Sequence, residues 1–396
     1  MNPKLNLLAF FLITLFFKDT YALRDVTKVE TSAHAFVQTD SVILRAVKDS
    51  VFPGAVLFVG NSRGIIYEKA YGHYDYSDSA KPMSINTIFD LASLTKVIAT
   101  TPAAMKLYEE GKLLLDTPVA HYIPSFAQNG KAHVTIRNLL LHNSGLPPDK
   151  PLYKICKNEK EALDSLYAMP LSYKTGTKYV YSDLGMIVLG KVIEGIAGMP
   201  LDVFMRKTFY EPMGMRETMF NPPDSLWESI APTEVEYNAR VIHKPGKVHN
   251  PITKLMNGVT GHAGLFSTAE NLSKIALLLL NDGMYNGMRY FSQRTIKLFT
   301  TRQGTQSSRA LGWDTKDDND KSAAGRYFSA KAFGHTGFTG TSIWIDPVLR
   351  VFVILLTNRT YQMHDRNKIL VIRPLVHDAV IHDLKILKNK KKTLNK

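Results

Sequence analysis

Phe89-Asp90-Leu91-Ala92-Ser93-Leu94-Thr95-Lys96 decides how the rest of the chain is read. A strand-like run ends at Ala92, a helical one begins, and Ser93-Leu94-Thr95-Lys96 is the only Ser-x-x-Lys in the sequence. Residues three apart on a helix share a face one turn on, so hydroxyl and ammonium fall within reach of each other. A serine hydroxyl is a poor nucleophile at neutral pH unless a neighbour takes its proton, and a lysine amine can do so when its pKa is lowered. Ser93 is the candidate nucleophile and Lys96 its candidate partner. A serine at a helix start is usually just an N-cap and a lysine one turn later a solvated face. The pair therefore needs support from elsewhere in the chain.

Two later stretches supply it, in a fixed order. Tyr181-Ser182-Asp183 lies in Lys178-Tyr179-Val180-Tyr181-Ser182-Asp183-Leu184-Gly185, and His335-Thr336-Gly337 lies in Phe333-Gly334-His335-Thr336-Gly337-Phe338-Thr339-Gly340 at the start of a strand. The same tripeptide occurs once more, as Tyr76-Ser77-Asp78 in the polar turn from Gly72 to Pro82. That copy precedes Ser93 and is read as a decoy.

Taken together, the three stretches resemble the penicillin-recognising serine hydrolases, in their class C branch of β-lactamases, secreted DD-peptidases and related esterases. Within it the resemblance is to D-alanyl-D-alanine carboxypeptidases of the penicillin-binding protein 4B type. Leu140-Leu141-His142-Asn143-Ser144-Gly145 and Gly261-His262-Ala263-Gly264-Leu265-Phe266-Ser267 extend it over nearly the whole mature chain. The resemblance implies attack by Ser93 on a carbonyl, an acyl-enzyme, and proton traffic shared by Lys96 and Tyr181. It implies an oxyanion hole made of the Ser93 and Phe338 N–H groups, with His335, Thr336, Gly337 and Asp183 bordering the substrate. It implies no cofactor.

Two departures bear on the substrate. Class C β-lactamases usually carry lysine where His335 stands, and a histidine only partly charged near neutral pH attracts a carboxylate less reliably. The second motif usually ends in asparagine, whose amide can donate to a substrate carbonyl, whereas an ionised Asp183 cannot. Asp183 is expected instead to pair with Lys96, raise the lysine's pKa and shift the role of base to Tyr181.

Composition bounds the remaining classes. The 396 residues, 45% hydrophobic, suffice for a sizeable core and two subdomains. Residues 1–22 read as a secretory signal: Lys4, an apolar run from Leu5 to Phe17, and small residues at the cleavage positions of Thr20-Tyr21-Ala22. Export to the periplasm or the medium is the expectation, with membrane association as the alternative. Lys and Arg number 49 against 35 Asp and Glu, a net charge of +14. The basic run from Lys388 to Lys392 is read as a solvated, disordered tail able to touch an anionic membrane or cell wall. Export and the lack of aromatic-basic interleaving argue against a nucleic-acid partner. The single cysteine, Cys156, allows no intrachain disulfide and reads as a small buried hydrophobe. The 12 histidines include no His-Glu-x-x-His, so no metal is expected, and His142 and His262 read as structural loop residues. The one Gly-x-Ser-x-Gly match, Gly60-Asn61-Ser62-Arg63-Gly64, falls in the turn between two expected strands and not at a strand-to-helix elbow, which disfavours the α/β-hydrolase arrangement.

The pattern along the chain predicts an α+β architecture, with an antiparallel sheet flanked by helices and an inserted, mostly helical subdomain. Residues 36–105 and 300–386 are assigned to the sheet subdomain, 106–299 to the helical one and 387–396 to the tail. Strands are expected at Val56–Val59, Ile65–Tyr71, Gly340–Ile345 and Arg350–Thr357. Helices are expected at Asp40–Asp49, Thr95–Glu110 with a kink at Pro102, Val134–Leu141, Leu184–Ile196, Ala269–Leu280 and Pro374–Leu384. Gly304 to Gly325 reads as a polar loop, and His335 is expected on the edge strand. The function expected is an exported serine hydrolase acting on D-Ala-D-Ala ends of peptidoglycan stem peptides. An esterase or weak β-lactamase of the same fold, and a slow or non-catalytic penicillin-binding cell-wall protein, stay open beside it.

Overall fold

The computed structural model describes residue 28 and residues 36–233, 235–236, 241–242, 246–318, 322–361, 365 and 367–394. The expected signal at 1–22 lies outside the described residues. Six strands form the main sheet: β1 (Gly54–Asn61), β2 (Gly64–Gly72), β3 (Asp314–Thr315), β4 (Phe333–Thr336), β5 (Ser342–Asp346) and β6 (Val351–Thr357), in the order β3-β4-β5-β6-β1-β2. Every ladder is antiparallel. The two ends of the chain meet in the middle of the sheet, where Ala55 pairs with Thr357 and Asn61 with Val351.

Successive strand residues point to opposite faces, and both faces are covered. Ala55, Leu57 and Val59 of β1, with Trp344, Val353 and Leu355, pack under α1 (Val37–Lys48) and the terminal helix, which contribute Ile43, Ala46, Val376 and Val380. Thr39 ties these two helices together, donating its backbone N–H and hydroxyl to Asp383 at 2.9 and 2.8 Å. Val56, Phe58, Phe352 and Ile354 face the other way, into the larger core that contains the helices α2 (Thr101–Glu109), α3 (Asp183–Ala197) and α4 (Ala269–Leu280). The α+β architecture with its antiparallel sheet is as the sequence pattern predicts.

Four local expectations are corrected. The helix expected over Thr95–Glu110 is a five-residue π-turn, Lys96–Thr100, followed by α2. Pro102 is the reason: it has no N–H for the carbonyl of Ile98, and the Tyr210 hydroxyl donates to that carbonyl instead at 3.1 Å. The Gly304–Gly325 segment is not simply a polar loop, because Arg309, Ala310, Leu311 and Trp313 are buried and β3 follows them. The strand β4 is not the edge, since β3 pairs outside it, but β3 reaches only Phe333 and Gly334 and leaves the outer side of His335 and Thr336 open. Finally, the last helix, α5 (Lys368–Leu394), begins before Pro374 and runs on through the basic segment expected to be disordered. Cys156 is buried, as expected of a small hydrophobe.

Candidate active site

Phe89 and Asp90 form a short strand paired with Ser267 and Phe266 in a separate three-stranded sheet. The chain then turns sharply through Ala92, whose φ of +46° is a left-handed conformation costly for a residue with a Cβ. Asp90 holds that turn, its Oδ1 accepting the Ala92 N–H at 2.9 Å and its Oδ2 the His249 N–H at 2.7 Å. Three consecutive carbonyls each accept a threonine hydroxyl: Asp90 O from Thr339 at 2.7 Å, Leu91 O from Thr341 at 3.1 Å and Ala92 O from Thr95 at 2.7 Å. Ser93 sits in the resulting 3-10 turn, Ala92–Leu94, with no side-chain cap bond. It is therefore not the helix N-cap that its position suggests.

Lys96 is fully buried and gathers the site. Its Nζ donates to Ser93 Oγ at 3.0 Å and to the backbone carbonyl of His262 at 3.1 Å, and lies 2.8 Å from Asp183 Oδ1. Burial alone would lower the lysine's pKa, but the charge and hydrogen bonding of Asp183 and Tyr181 outweigh it and raise the pKa. Burial likewise pushes the Asp183 carboxyl up, and Lys96 together with His262 brings it below its usual value. The pair is thus an ammonium and a carboxylate across the neutral range. A lysine held protonated orients the serine and supplies positive charge, but it is not a free base.

The second stretch is built around the start of α3. Ser182 is its N-cap, accepting the Gly185 N–H at 3.2 Å and donating to Pro147 O at 2.6 Å. Asp183 opens the helix, and Tyr181 remains in the loop before it. The Tyr181 ring is surrounded. His142 and His335 lie on it at 4.6 and 5.9 Å between centroids, and Lys96 Nζ and the Arg309 guanidinium face it at 4.9 and 5.2 Å. Negative charge on the Tyr181 oxygen would therefore be stabilised by two cations.

The third stretch lies against the Ser93 turn. A Cβ at Gly337 would come within 2.1 Å of Thr341 Oγ1 and 2.5 Å of Leu91 O, so only glycine allows the approach. Phe338, 39% exposed, meets the His249 ring at a tilt, 5.3 Å between centroids, and carries the Arg359 guanidinium 4.7 Å above it. His335 is buried, its Nδ1 meets Thr336 O at 2.8 Å and its Nε2 has no partner. The carbonyl fixes the proton on Nδ1 and leaves Nε2 an acceptor. Burial, with Arg309 and Lys96 nearby, holds the pKa well below 6.5. His335 is neutral, so the partial charge expected of it near neutral pH is absent.

His142 behaves as a loop residue, accepting the Ser182 N–H on Nδ1 at 3.1 Å. His262 contributes its backbone carbonyl to Lys96 while its Nδ1 meets the Thr260 hydroxyl at 2.9 Å, and burial lowers its pKa to about 4. Of the two tripeptide copies, it is Tyr181 and Asp183 that meet Lys96, beside Ser93 and His262. Sequence reasoning missed Arg309, which donates to Tyr179 at 3.0 Å and pairs with Asp314 at 3.9 Å. Its only signal is an arginine shortly before a tryptophan in a segment that reads as loop. A cavity of about 1050 Å³ lined by Tyr108, Leu114, Arg137 and Lys297 includes none of the motif residues. Among the described residues no group of His, Cys, Asp and Glu is arranged to hold a metal ion.

Ser93, the buried Lys96 and Tyr181 thus meet beside the sheet, the arrangement expected from the sequence of a serine hydrolase, on a penicillin-binding-protein and β-lactamase type of fold. The chain belongs to the Beta-lactamase family, whose model matches residues 39–375. It is 36% identical over 345 residues to an N-acetylmuramyl-L-alanine amidase of Bacillus subtilis (strain 168), covering 78% of each chain. It is 34% identical over 347 residues to a protein named "Putative D-alanyl-D-alanine carboxypeptidase" of Escherichia coli (strain K12), covering 79% of this chain and 80% of that one. Its fold matches that of a penicillin-binding protein homologue from Caulobacter crescentus with a TM-score of 0.72 and 20% identity, over 91% of this chain and 100% of the other.

Proposed function

We propose that the protein is an exported hydrolase that opens an amide bond of peptidoglycan stem peptides through an acyl-enzyme on Ser93, with the terminal D-Ala-D-Ala bond as its target. The single observation that carries this reading is the buried Lys96 ammonium, 3.0 Å from Ser93 Oγ and 2.8 Å from Asp183. Because Asp183 holds Lys96 charged, Tyr181 is the group that exchanges the proton. With Tyr181 as the phenolate, stabilised by Lys96 and Arg309, Ser93 Oγ attacks the carbonyl carbon as its proton passes to the phenolate oxygen, directly or by relay through the ammonium, which gives up one proton to Tyr181 and takes the serine's. The phenol proton then goes to the departing amine as the C–N bond breaks. Water repeats the sequence on the ester and frees the acid. The Ser93 and Phe338 N–H groups receive the carbonyl oxygen in both steps.

The names of the two relatives support different bonds of one polymer. The amidase relative favours a second reading, cleavage between the muramyl lactyl group and L-Ala. Incubating mature protein with a muramyl pentapeptide separates the two: free D-Ala supports the first reading, a new L-Ala amino terminus the second. A fluorescent penicillin and a short-chain ester, run beside it, distinguish the β-lactamase and esterase readings. Covalent labelling by any of these is expected to disappear in Ser93→Ala, and an adduct still seen on that variant by mass spectrometry rules Ser93 out as nucleophile. Export is tested by N-terminal sequencing, with Leu23 expected first. The basic end of α5 is proposed to touch anionic membrane or cell wall, a contact that vesicle sedimentation with and without residues 387–396 measures.

A further inference from the structure

We propose that the two oxyanion-hole amides are each polarised from behind, by the Thr95 hydroxyl on one and the Arg373 guanidinium on the other, making Thr95 and Arg373 positioning residues for acyl transfer. The inference rests on the reading of Ser93 N–H and Phe338 N–H as the donors to the substrate carbonyl.

An N–H and the carbonyl of the preceding residue belong to one planar, resonance-coupled peptide unit. The carbonyl behind Ser93 N–H is Ala92 O, and the carbonyl behind Phe338 N–H is Gly337 O. Ala92 O accepts the Thr95 hydroxyl at 2.7 Å, and Thr95 Oγ1 itself accepts the Leu265 N–H at 3.2 Å. Gly337 O accepts Arg373 Nη2 and the Gly340 N–H, the latter at 3.1 Å. A donor on the carbonyl draws electron density through the amide and leaves its N–H a stronger donor. Hydrogen bonds in a chain strengthen one another by about 10–30% each, and a charged donor is roughly twice as strong as a neutral one. Thr95 acts from within the same turn, held there by the Leu265 N–H, and Arg373 from α5, but on both sides the bond passes through one peptide to the point where the oxyanion forms.

Arg373 is an unusual choice for a purely structural tie. It is 4% exposed, and its second Nη2 bond goes to Thr341 O at 3.0 Å, again a carbonyl of the same loop. Its Nε has no partner, and among the described residues no carboxylate pairs with it. Burial and the nearby Arg359 pull its pKa down to about 9, which still leaves it charged at neutral pH. A buried charge facing only carbonyls is costly. A neutral donor could bridge the same two carbonyls without that cost, but it would polarise the Gly337–Phe338 peptide far less.

Infrared difference spectroscopy tests this directly, using the acyl-enzyme formed from the p-nitrophenyl ester of trimethylacetic acid labelled with carbon-13 at the carbonyl. The acyl carbonyl sits in the oxyanion hole, and its stretching frequency falls as the donors strengthen. Thr95→Val and Arg373→Met are each expected to shift the band to higher frequency. Each is also expected to lower kcat by about 3- to 30-fold at little change in KM, a fraction of the 100- to 1000-fold loss of a whole donor. Thr95→Ser keeps the hydroxyl and is expected to keep the wild-type band. Thr95→Val is nearly isosteric and decides the matter if Arg373→Met does not fold, with Arg373→Lys, which keeps the charge, as the second variant on that side. Folded variants whose band stays at the wild-type position overturn the proposal while leaving the acyl-enzyme reading intact. A wild-type protein that forms no adduct on Ser93 overturns the acyl-enzyme reading itself, and the polarisation proposal with it.

Discussion

Tyr181-Ser182-Asp183 and Tyr76-Ser77-Asp78 are the same three residues in two environments. In the first, the serine caps a 15-residue helix, the aspartate meets a buried lysine, and the tyrosine ring is enclosed by two histidines and two cations. In the second, the serine N–H and hydroxyl turn back onto Asp75 in an exposed loop, at 2.8 and 2.6 Å, and burial raises the Tyr76 phenol to about 12. A tripeptide supplies functional groups; only the elements packed against it give them a task. Replacing matched residues in the two copies measures what the environment adds.

The largest difference is expected between the tyrosines. Tyr181→Phe should slow acylation of a short-chain ester by roughly 100-fold or more, in the range for losing a general acid or base. Tyr76→Phe should be nearly silent. Equal losses in stopped-flow acylation would end the distinction between the two copies.

Two histidines lie against the Tyr181 ring, and pH should reveal them. His335 has its folded-state pKa well below the unfolded value of about 6.5, so its contribution to stability is full above that value and is lost as pH falls toward the folded pKa. The unfolding free energy should therefore fall below pH 6.5 by up to about 1.4 kcal/mol per pH unit on account of this group. Denaturant titrations of His335→Gln should show a correspondingly shallower decline, and an unchanged slope would show that His335 protonates without hindrance in the fold.

The aspartates come next. Asp183→Asn gives the site an amide that can donate to an acyl-amide carbonyl, and it frees Lys96 from its ion pair. Acylation by a β-lactam is expected to rise several-fold relative to an ester, whereas Asp78→Asn should leave the ratio alone. A shift toward the ester would mean that Asp183 serves only to anchor Lys96. The smallest difference separates the serines. Ser182→Ala removes an N-cap and the donor to a buried carbonyl, for about 1–2 kcal/mol of stability. Ser77→Ala, at an exposed turn, should cost only a few tenths of that in the same melt.

Much of this contrast is legible in the amino-acid sequence alone. Local spacing places Lys96 one turn from Ser93, because backbone geometry over four residues does not depend on the rest of the fold. The order of the three stretches, read through the family resemblance, separates the two copies of the tripeptide, and the same resemblance puts Asp183 beside Lys96, where their opposite charges pair. The apolar runs of β1 and β6 locate those strands to within two residues at either end. Even the misplaced boundary after Ser93 has a local cause, Pro102, although its consequence depends on Tyr210 being there to take up the Ile98 carbonyl.

Other features required the chain to fold back on itself. Arg309 comes from a segment that looks like loop and is 128 residues from the tyrosine it covers, and a cation above a ring leaves no periodicity to read. Thr339, Thr341 and Arg373 act on main-chain carbonyls, and since every residue has one, no residue type announces the partner. The state of His335 is set by burial beside Arg309 and Lys96, which converts an expected partial cation into a neutral acceptor. Sequence by itself thus determined which groups the candidate site contains and in what order, because covalent spacing and side-chain identity are local. Tertiary structure decided their charge, their hydrogen-bond partners and the carbonyls they hold, because desolvation and Coulomb interactions depend on what lies a few ångströms away in space, however distant in the chain.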